Sequence, residues 1–195
     1  MSKFSVPKLK PLKVKCTDSD CKNDLHCFKA TQKLKKEGKE GACRSCGVEL
    51  INWDRVHEQD MNDVDYTFDA LRSELIRHHF WHKEIDQRAI NHAKRKGKSK
   101  LWPAIENRIR KSVADAHPVR DGQQTPMEGN SIYYAQHATA CCCRTCIEYW
   151  HQIPKGVELT DGQVGYFTEL CMRFLNERMP YLTNDGEHVP PIRKK

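Results

Sequence analysis

The amino-acid sequence predicts a mainly α-helical protein with short β-strands, a small member of the α+β class. Apolar residues make up only 38% of the chain and charged residues 30%, which leaves little material for one large core. The stretch from residue 61 to 116 has helical periodicity throughout. Ten cysteines fall mostly in two groups with short spacings, and small polar modules of this kind are commonly held together by bound metal. We therefore expect small zinc-stapled modules.

Composition divides the chain into five segments. The first is a basic arm with five lysines and no acidic residue. Two cysteine-rich segments follow, separated by a helical region, and a basic tail ends the chain. The expected boundaries are 1–15 for the arm, 16–60 for a zinc-ribbon or knuckle-like module, 61–116 for the helical region, 117–182 for a Cys/His-rich C-terminal domain and 183–195 for the tail.

The first module contains one expected helix and one expected strand. The stretch "DLHCFKATQKLKKEG" predicts a helix from about Asp24, an N-cap type of residue, to Gly38. Leu25 and Phe28 would face inward. After the "CRSCG" turn, "VELINW" predicts a short strand.

The helical region predicts three helices. "QRAINHAKRK" is expected to form the second, which Gly97 ends, and "PAIENRIRKSVADA" the third, with Pro103 in its first turn. In the first helix, residues at alternating spacings of four and three predict one helical face. These residues are Leu71, Leu75, His78, His82 and Ile85.

The C-terminal segment begins with a Pro/Gly-rich loop over residues 117–130. The next stretch, "SIYYAQ", predicts a strand or an extended entry into the second cysteine group. Thr160 and Gln163 form a capping-box pair at the start of a final helix, which Pro180 ends. The buried stripe of that helix is expected to contain Val164, Phe167, Leu170, Cys171, Phe174 and Leu175.

The early cysteines predict a structural zinc site. Reducing compartments keep thiols free, so grouped cysteines in an intracellular chain indicate metal rather than disulfides. Two closely spaced pairs of cysteines, which we call clips, allow four sulfurs to reach one ion. The glycine after the second clip permits the tight turn of a zinc knuckle. The expected ligands are Cys16, Cys21, Cys43 and Cys46, with His26 or Cys27 as alternatives to Cys21.

The stretch "CRSCGVELINWDRVH" faintly resembles a zinc-supported ββα-metal nuclease, in which a general-base histidine stands beside a metal. That family has an adjacent Asp-His pair, whereas two residues separate Asp54 from His57 here. We therefore expect His57 to be a surface or packing residue.

His78 and His82 stand one helical turn apart, so both rings could meet one metal ion or one phosphate. The glutamate general base of a zinc-protease helix is missing, because Phe80 and Trp81 occupy the intervening positions. The alternative is a stacked histidine pair at the edge of the core.

The stretch "HATACCCRTCIEYWH", residues 137–151, predicts a second zinc site of the Cys2His2 or Cys3His type. Adjacent cysteines diverge, so one of each neighbouring pair should be a spare. A disulfide between neighbours would be strained. The expected ligands are His137, Cys142, Cys143, Cys146 and His151, and the spacing leaves open which of Cys141, Cys142 and Cys143 faces the ion.

Two enzymatic interpretations compete for the same stretch. Arg144 could lower the pKa of a neighbouring thiol and create a catalytic or redox cysteine, although no third orienting group is identifiable. A base-deaminase site needs a His-x-Glu well upstream of Pro-Cys-x-x-Cys. Thr139 stands where that glutamate would be, and no proline precedes the cysteines, so we reject the deaminase.

Residues 121–167 resemble a bacterial domain family of unknown function with a QTPM loop, an AQHATA stretch, a Cys-Cys-Arg-x-Cys run and a Trp-His pair. Cys141 stands where the family has threonine, which makes it the expected spare. Asn130 stands where the family has histidine, so an activity that needs this histidine would be lost. The resemblance implies a compact domain with a Cys/His centre and no particular substrate. The matching positions are Asp121, Gln124, Thr125, Pro126, Met127, Gln136, His137, Cys142, Cys143, Arg144, Cys146, Trp150, His151 and Gly156.

The leading functional prediction is a zinc-binding protein, with one or two zinc ions, that contacts nucleic acid or a protein partner through basic surfaces. The net charge is +7, and residues 88–111 carry nine basic residues against one acidic residue, a pattern that attracts phosphates. The residues expected to contact nucleic acid are Lys94, Arg95, Lys96, Lys98 and Lys100.

Two alternatives stand beside this prediction. One is a metal-dependent hydrolase or nuclease built from His78, His82, His137 and nearby cysteines. The other is a structural subunit of a larger complex. No apolar run approaches the roughly 18 residues of a membrane span, and the N-terminus lacks the apolar core of a signal peptide. We therefore expect a cytoplasmic protein of bacterial type with no membrane role.

Overall fold

The computed structural model describes residues 14–192, so most of the basic arm and the last three residues of the tail lie outside the described residues. The described chain is mainly helical. Short 3-10 turns lie at Cys21–Asn23 and Leu71–Ser73, and a π-helical turn lies at Arg110–Ala114. Residues 14–192 contain eight α-helices: α1 (Gln32–Lys36), α2 (Trp53–Glu58), α3 (Val64–Ala70), α4 (Leu75–His82), α5 (Gln87–Ile109), α6 (Ser131–Ala138), α7 (Arg144–His151) and α8 (Asp161–Arg178).

The expected helix from Asp24 to Gly38 is wrong over its first half, because only α1 forms. Thr31 is its N-cap and accepts a hydrogen bond from the backbone of Leu34 at 3.2 Å. The preceding residues are held by another part of the chain: the backbone N–H of His26 donates to Ser73 at 2.8 Å, and that of Leu75 donates to His26 at 2.9 Å. Long-range backbone pairing therefore replaces the local helix.

Neither expected strand forms, and pairing between strands in the described residues is limited to isolated bridges. The end of "VELINW" begins α2, whose N-cap is Asn52, and "SIYYAQ" lies within α6, whose N-cap is Asn130. Strand propensity depends on a partner strand and a half-buried surface. Without such a partner, helix packing decides the conformation of these aromatic and β-branched residues.

The inner face of α4 differs from the face that the spacing indicated. The helix buries Ile76, Arg77, Phe80 and Trp81, whereas the two histidines of the expected face lie on its outer side. The reason is a break in helical phase at Glu74, which has an extended backbone (φ −91°, ψ 127°) between the 3-10 turn and α4. A periodicity counted through this residue cannot predict the inner face beyond it.

The expected helix end at Gly97 is confirmed by a sharp kink inside α5, where this glycine has φ 65° and ψ 171°. The C-terminal segment fills the kink, since the backbones of Lys98 and Ser99 donate to Thr183 at 2.9 Å and to Asn184 at 3.0 Å. Pro103 lies inside the second half of α5 and not in its first turn, because that half begins directly after the kink.

The final helix agrees with the sequence. The capping box of Thr160 and Gln163 is present, and α8 contains every residue of the expected buried stripe in buried form. It packs against α3, α5 and α6, and α4 packs against α6.

One apolar cluster runs from Phe28 to Leu182 and contains residues from both cysteine groups. The composition indicated little material for one large core, whereas helices from residues 28–182 share this cluster. Zinc-stapled modules stay a prediction. The five segment boundaries expected from composition remain predictions. No helix among residues 14–192 has the length and apolarity needed to cross a membrane.

Candidate metal centres

The first group of potential ligands, which we call the quartet, consists of Cys21, His26, Cys43 and Cys46. One ligand atom of each lies within 4.8 Å of those of the other three. The Sγ atoms of Cys21 and Cys43 are 3.7 Å apart, and Sγ of Cys46 lies 3.5 Å from Nδ1 of His26. These distances fit four donors around one tetrahedral ion, whose bonds to sulfur and nitrogen are about 2.0–2.3 Å long.

Local sequence builds one half of the quartet. The backbone N–H of Gly47 donates to Cys43 at 2.8 Å, and the N–H of Cys43 donates to Val48 at 2.8 Å. Gly47 has φ 78°, a left-handed conformation that glycine adopts at no steric cost. The resulting tight turn presents Cys43 and Cys46 to the same point in space.

Long-range packing builds the other half. His26 enters the quartet because its backbone pairs with the segment before α4. Cys16 lies outside the group although its spacing indicated a ligand, and its carbonyl oxygen accepts a hydrogen bond from Sγ of buried Cys27 at 3.4 Å. The structure therefore combines three of the four expected cysteines with a histidine that the sequence offered only as a substitute for Cys21.

The protonation of the quartet is uneven. Burial and hydrogen bonds to neighbouring thiols raise the pKa of Cys21 to about 11. Burial also disfavours the thiolate of Cys43, but backbone hydrogen bonds outweigh it and lower the pKa of this thiol to about 6. Binding a metal ion would require thiolates and would release protons.

The second group, which we call the triad, consists of Cys142, Cys143 and Cys146 at the start of α7. Their ligand atoms lie within 4.8 Å of one another, and all three side chains are buried. Cys143 is the N-cap of α7, and the backbone of Cys146 donates to it at 3.0 Å. Both members of the adjacent pair therefore belong to the group, contrary to the expectation that one of them is spare.

Arg77 is the charged residue that contacts the triad, and its side chain is only 1% exposed. Nη2 of Arg77 donates to Sγ of Cys146 at 3.2 Å, and Nη1 donates to the carbonyl oxygen of His137 at 2.6 Å. Hydrogen bonds from Cys142 and Cys143, together with the charge of Arg77, hold the pKa of Cys146 well below its usual value. Hydrogen bonds from the neighbouring thiols and burial raise the pKa of Cys142 well above its usual value, and the pKa of Cys143 is raised to about 11. Without a metal ion, the triad therefore favours one thiolate, at Cys146.

Glu74 is the buried counter-ion of Arg77. Its Oε2 accepts from Nε of Arg77 at 3.0 Å and from Nε1 of Trp150 at 2.6 Å. Its Oε1 has no hydrogen-bond partner among the described residues. Burial raises the pKa of this carboxyl to about 7, while the neighbouring guanidinium opposes the shift.

The two histidines expected beside the triad are held elsewhere. Nε2 of His137 lies 3.2 Å from the carbonyl oxygen of Pro126, and its ring stacks on Phe80 at 4.4 Å. Nε2 of His151 lies 3.4 Å from the carbonyl oxygen of Thr139. Burial lowers the pKa of His137 to about 4 and that of His151 to about 3, so both rings are neutral at pH 7.

Cys141 and Arg144 also differ in role from the triad. Sγ of Cys141 lies 3.5 Å from Sγ of Cys171 in the core, which agrees with its description as the spare cysteine. Arg144 donates to the carbonyl oxygens of Val113 and Pro154, so it joins the π-helical turn to the loop after α7. The cation beside the thiols is Arg77, which sequence reasoning missed because an arginine on a helix usually faces water.

His78 and His82 form a side-by-side pair on α4. Their ring centroids are 4.1 Å apart, and Nδ1 of His82 lies 2.8 Å from the carbonyl oxygen of His78. In residues 14–192 the groups of three or more potential ligands are the quartet and the triad. The geometry therefore agrees with the predicted pair of packed histidine rings. Neither ring belongs to a group of potential metal ligands with His137.

The five basic residues proposed to contact nucleic acid flank the Gly97 kink. The C-terminal segment covers part of them, because Lys94 pairs with Glu187 at 3.7 Å and Nε of Arg95 donates to the carbonyl oxygen of Val189 at 3.4 Å. Lys100 is exposed, and Lys96 and Lys98 are partly exposed.

The fold and the two groups define a helical protein with Cys/His ligand sets of the kind that holds metal ions. The chain belongs to the family DUF4186, described as a domain of unknown function, whose model matches residues 65–176. The match includes the triad and Arg77, whereas the quartet precedes it. No solved structure matches the chain.

Proposed function

We propose that the protein binds zinc and that the quartet holds a structural ion. The observation that supports this most directly is the convergence of three thiols and one imidazole within 4.8 Å. Four protein ligands complete a tetrahedral shell and leave no position for a substrate, as in structural zinc sites. Through His26, such an ion would fasten the N-terminal segment to the start of α4.

We extend the proposal to a second ion at the triad. Three thiolates around a divalent cation leave one excess negative charge, which is costly in a buried site unless a cation compensates it. Arg77 lies in hydrogen-bond contact with Cys146 and offsets part of this charge, while it also pairs with Glu74 at 3.0 Å. The offset is complete when Glu74 is protonated, and burial raises the pKa of that carboxyl to about 7. Thiolate donors favour zinc and other soft metals over magnesium or calcium.

The test is the metal content of purified protein and of matched serine variants. We expect two zinc ions per chain, and one ion each in Cys43→Ser and Cys146→Ser. The controls are Cys27→Ser and Cys141→Ser, because each removes a buried thiol that neighbours a group in sequence but lies outside it. The controls should retain both ions. Loss of an equal amount of zinc from variant and control, or metal-free protein with unchanged stability, would contradict the proposal.

Contact with a partner through the basic surface is the second part of the proposal. Its support is the position of Lys96, Lys98 and Lys100 beside the kink, where lysines from both halves of α5 meet. If this surface binds nucleic acid, affinity should fall steeply with added salt. The double variant Lys94→Glu with Lys96→Glu should weaken binding, while Lys36→Glu with Lys39→Glu makes the same charge change elsewhere and should weaken it much less.

A metal-dependent hydrolase has less support from the geometry. Such an enzyme needs an open coordination position beside a cavity that admits substrate. The three surface cavities described in the structure have no cysteine in their walls, and the triad is buried. A role as a structural subunit remains an alternative that the same titrations would favour if no nucleic acid binds.

A further inference from the structure

A cleft of about 410 Å³ opens between the N-terminal segment and α7. This volume lies in the range of small-molecule sites, which are often found where two parts of a structure meet. Phe28 and Trp53 form one wall, and Tyr149 of α7 forms another. The cleft contains no member of the quartet or the triad, so its use does not follow from metal binding.

The aromatic wall is fixed in place. Nε1 of Trp53 donates to the carbonyl oxygen of Gly41 at 3.1 Å, and the ring stacks on His57 with centroids 5.6 Å apart and planes inclined by 30°. Phe28 meets the same indole edge-on at 5.8 Å. Burial lowers the pKa of His57, so its ring is neutral at pH 7. Phe28 is only 1% exposed and Trp150 packs on the indole at 5.1 Å, so the partly exposed side of Trp53 is the rigid aromatic surface that a planar ligand could contact.

Tyr149 provides an unused polar group in the same cleft. Its hydroxyl oxygen is buried and has no hydrogen-bond partner among the described residues. Buried hydroxyls are nearly always paired, because leaving one unpaired is energetically unfavourable. A ligand in the cleft that draws this hydroxyl towards itself as a hydrogen-bond donor would remove this cost.

The charged residues of the cleft are of both signs. Lys29 and Lys35 line it and make no ion pair within residues 14–192. Glu40 and Glu148 line it as well, and Oε1 of Glu148 accepts a hydrogen bond from the backbone of Lys155 at 3.2 Å. Two amino groups match a phosphate, while two carboxylates match hydroxyl or amino donors. A nucleotide carries a phosphate and hydroxyl groups on its ribose, and its base is planar.

We propose that this cleft binds a mononucleotide, with the base against the aromatic wall and the phosphate at Lys29 and Lys35. The same chemistry is offered by a free nucleoside monophosphate and by one nucleotide of a single strand, because unstacked bases of single strands dock on aromatic side chains. The proposal does not depend on the metal content of the protein, and metal analysis and nucleotide titration can therefore fail separately.

The test is calorimetric titration of the full chain with the four ribonucleoside monophosphates, the matching nucleosides, inorganic phosphate and a short single-stranded oligonucleotide. We expect at least one monophosphate to bind with saturation and the matching nucleoside to bind about tenfold more weakly, since a charge-assisted phosphate contact is lost. Inorganic phosphate alone should show no saturable binding, because it cannot use the aromatic wall.

Three variants locate the binding. Tyr149→Phe removes only the hydroxyl and should weaken binding about three- to tenfold. Lys35→Glu should weaken it about tenfold or more, since it replaces attraction to phosphate by repulsion. Lys33→Glu is the matched control on the same helix, because Lys33 is 83% exposed and lies outside the cleft, and binding should be nearly unchanged.

Two results would overturn the proposal. One is the absence of saturable binding for every monophosphate and for the oligonucleotide. The other is binding that Lys35→Glu and Lys33→Glu weaken equally, or that Tyr149→Phe leaves unchanged. Saturable binding of the oligonucleotide alone, weakened by Tyr149→Phe, would identify the single strand as the source of the nucleotide and would support the site.

Discussion

Replacing Arg77 by methionine isolates the buried charge beside the triad. Methionine has nearly the length of the arginine stem, so it fills much of the same volume without creating a large cavity. The change removes the donors to Glu74 at 3.0 Å, to the carbonyl oxygen of His137 at 2.6 Å and to Sγ of Cys146 at 3.2 Å. Glu74 is fully buried and cannot be solvated by water. After the change, the hydrogen bond from Nε1 of Trp150 is the one that its carboxyl group keeps.

We expect Arg77→Met to lower the free energy of unfolding by about 3–5 kcal/mol, the cost of leaving one member of a buried ion pair uncompensated. That loss corresponds to roughly a hundred- to several-thousandfold change in the folding equilibrium constant, since about 1.4 kcal/mol is a factor of ten. Well above pH 7, where Glu74 is ionised, adding Glu74→Gln should recover a large part of the loss, because glutamine is neutral and still accepts the hydrogen bond from Trp150.

The assay is equilibrium unfolding in urea, followed by circular dichroism, for the single variants, the double variant and a surface control. Arg110→Met is a suitable control, because Arg110 pairs with Glu106 and Asp161 while its side chain is 44% exposed and water solvates both partners. The reasoning is refuted if Arg77→Met costs no more than Arg110→Met, or if Glu74→Gln makes the double variant less stable than Arg77→Met alone.

Three further predictions concern the scaffold. Gly97→Ala should lower the free energy of unfolding by about 1–3 kcal/mol. Gly97 has φ 65°, and an added Cβ would lie 2.5 Å from the carbonyl oxygen of Asn184. An unchanged melting temperature would disprove this. Burial lowers the pKa of His92 to about 4, below the unfolded value near 6.5. As the pH falls, the histidine therefore takes up its proton in the unfolded chain before it does so in the folded protein. The free energy of unfolding should decrease as the pH drops from about 6.5 towards 4. His92→Gln should therefore show a smaller loss of unfolding free energy between pH 7 and pH 4.5 than the unchanged protein, and an equal loss would argue against this origin. Thr160→Ala, which removes the N-cap of α8, should cost about 1 kcal/mol in urea unfolding, and a cost indistinguishable from zero would show that the capping box contributes nothing.

The triad shows what local spacing can predict. Cys143 and Cys146 are three residues apart, and the turn that leads into α7 brings their side chains together whatever the rest of the chain does. The same reasoning predicted Cys43 and Cys46 on one tight turn, with the glycine that the turn requires. Such short clips could be recognised from the sequence because only a few backbone angles separate their ligands.

The remaining partners of both groups depend on contacts between distant segments. His26 joins the quartet through backbone pairing with residues just before α4, and Arg77 reaches the triad because α4 turns its inner face towards α6 and α7. No spacing in the sequence carries this information. The histidines at 137 and 151 stand near the cysteines in sequence, yet backbone carbonyl groups and aromatic rings hold them outside the triad.

The sequence by itself determined the helical character, the end of the helix at Gly97, the capped and apolar final helix, and the clips of cysteine. Each of these depends on steric and hydrogen-bonding preferences within a few residues. The tertiary structure alone decided that "SIYYAQ" is helical, which face of α4 is buried, and that the guanidinium of Arg77 contacts the thiols at the start of α7. These features depend on which surfaces exclude water together, and that is fixed only when residues far apart in the chain pack against one another.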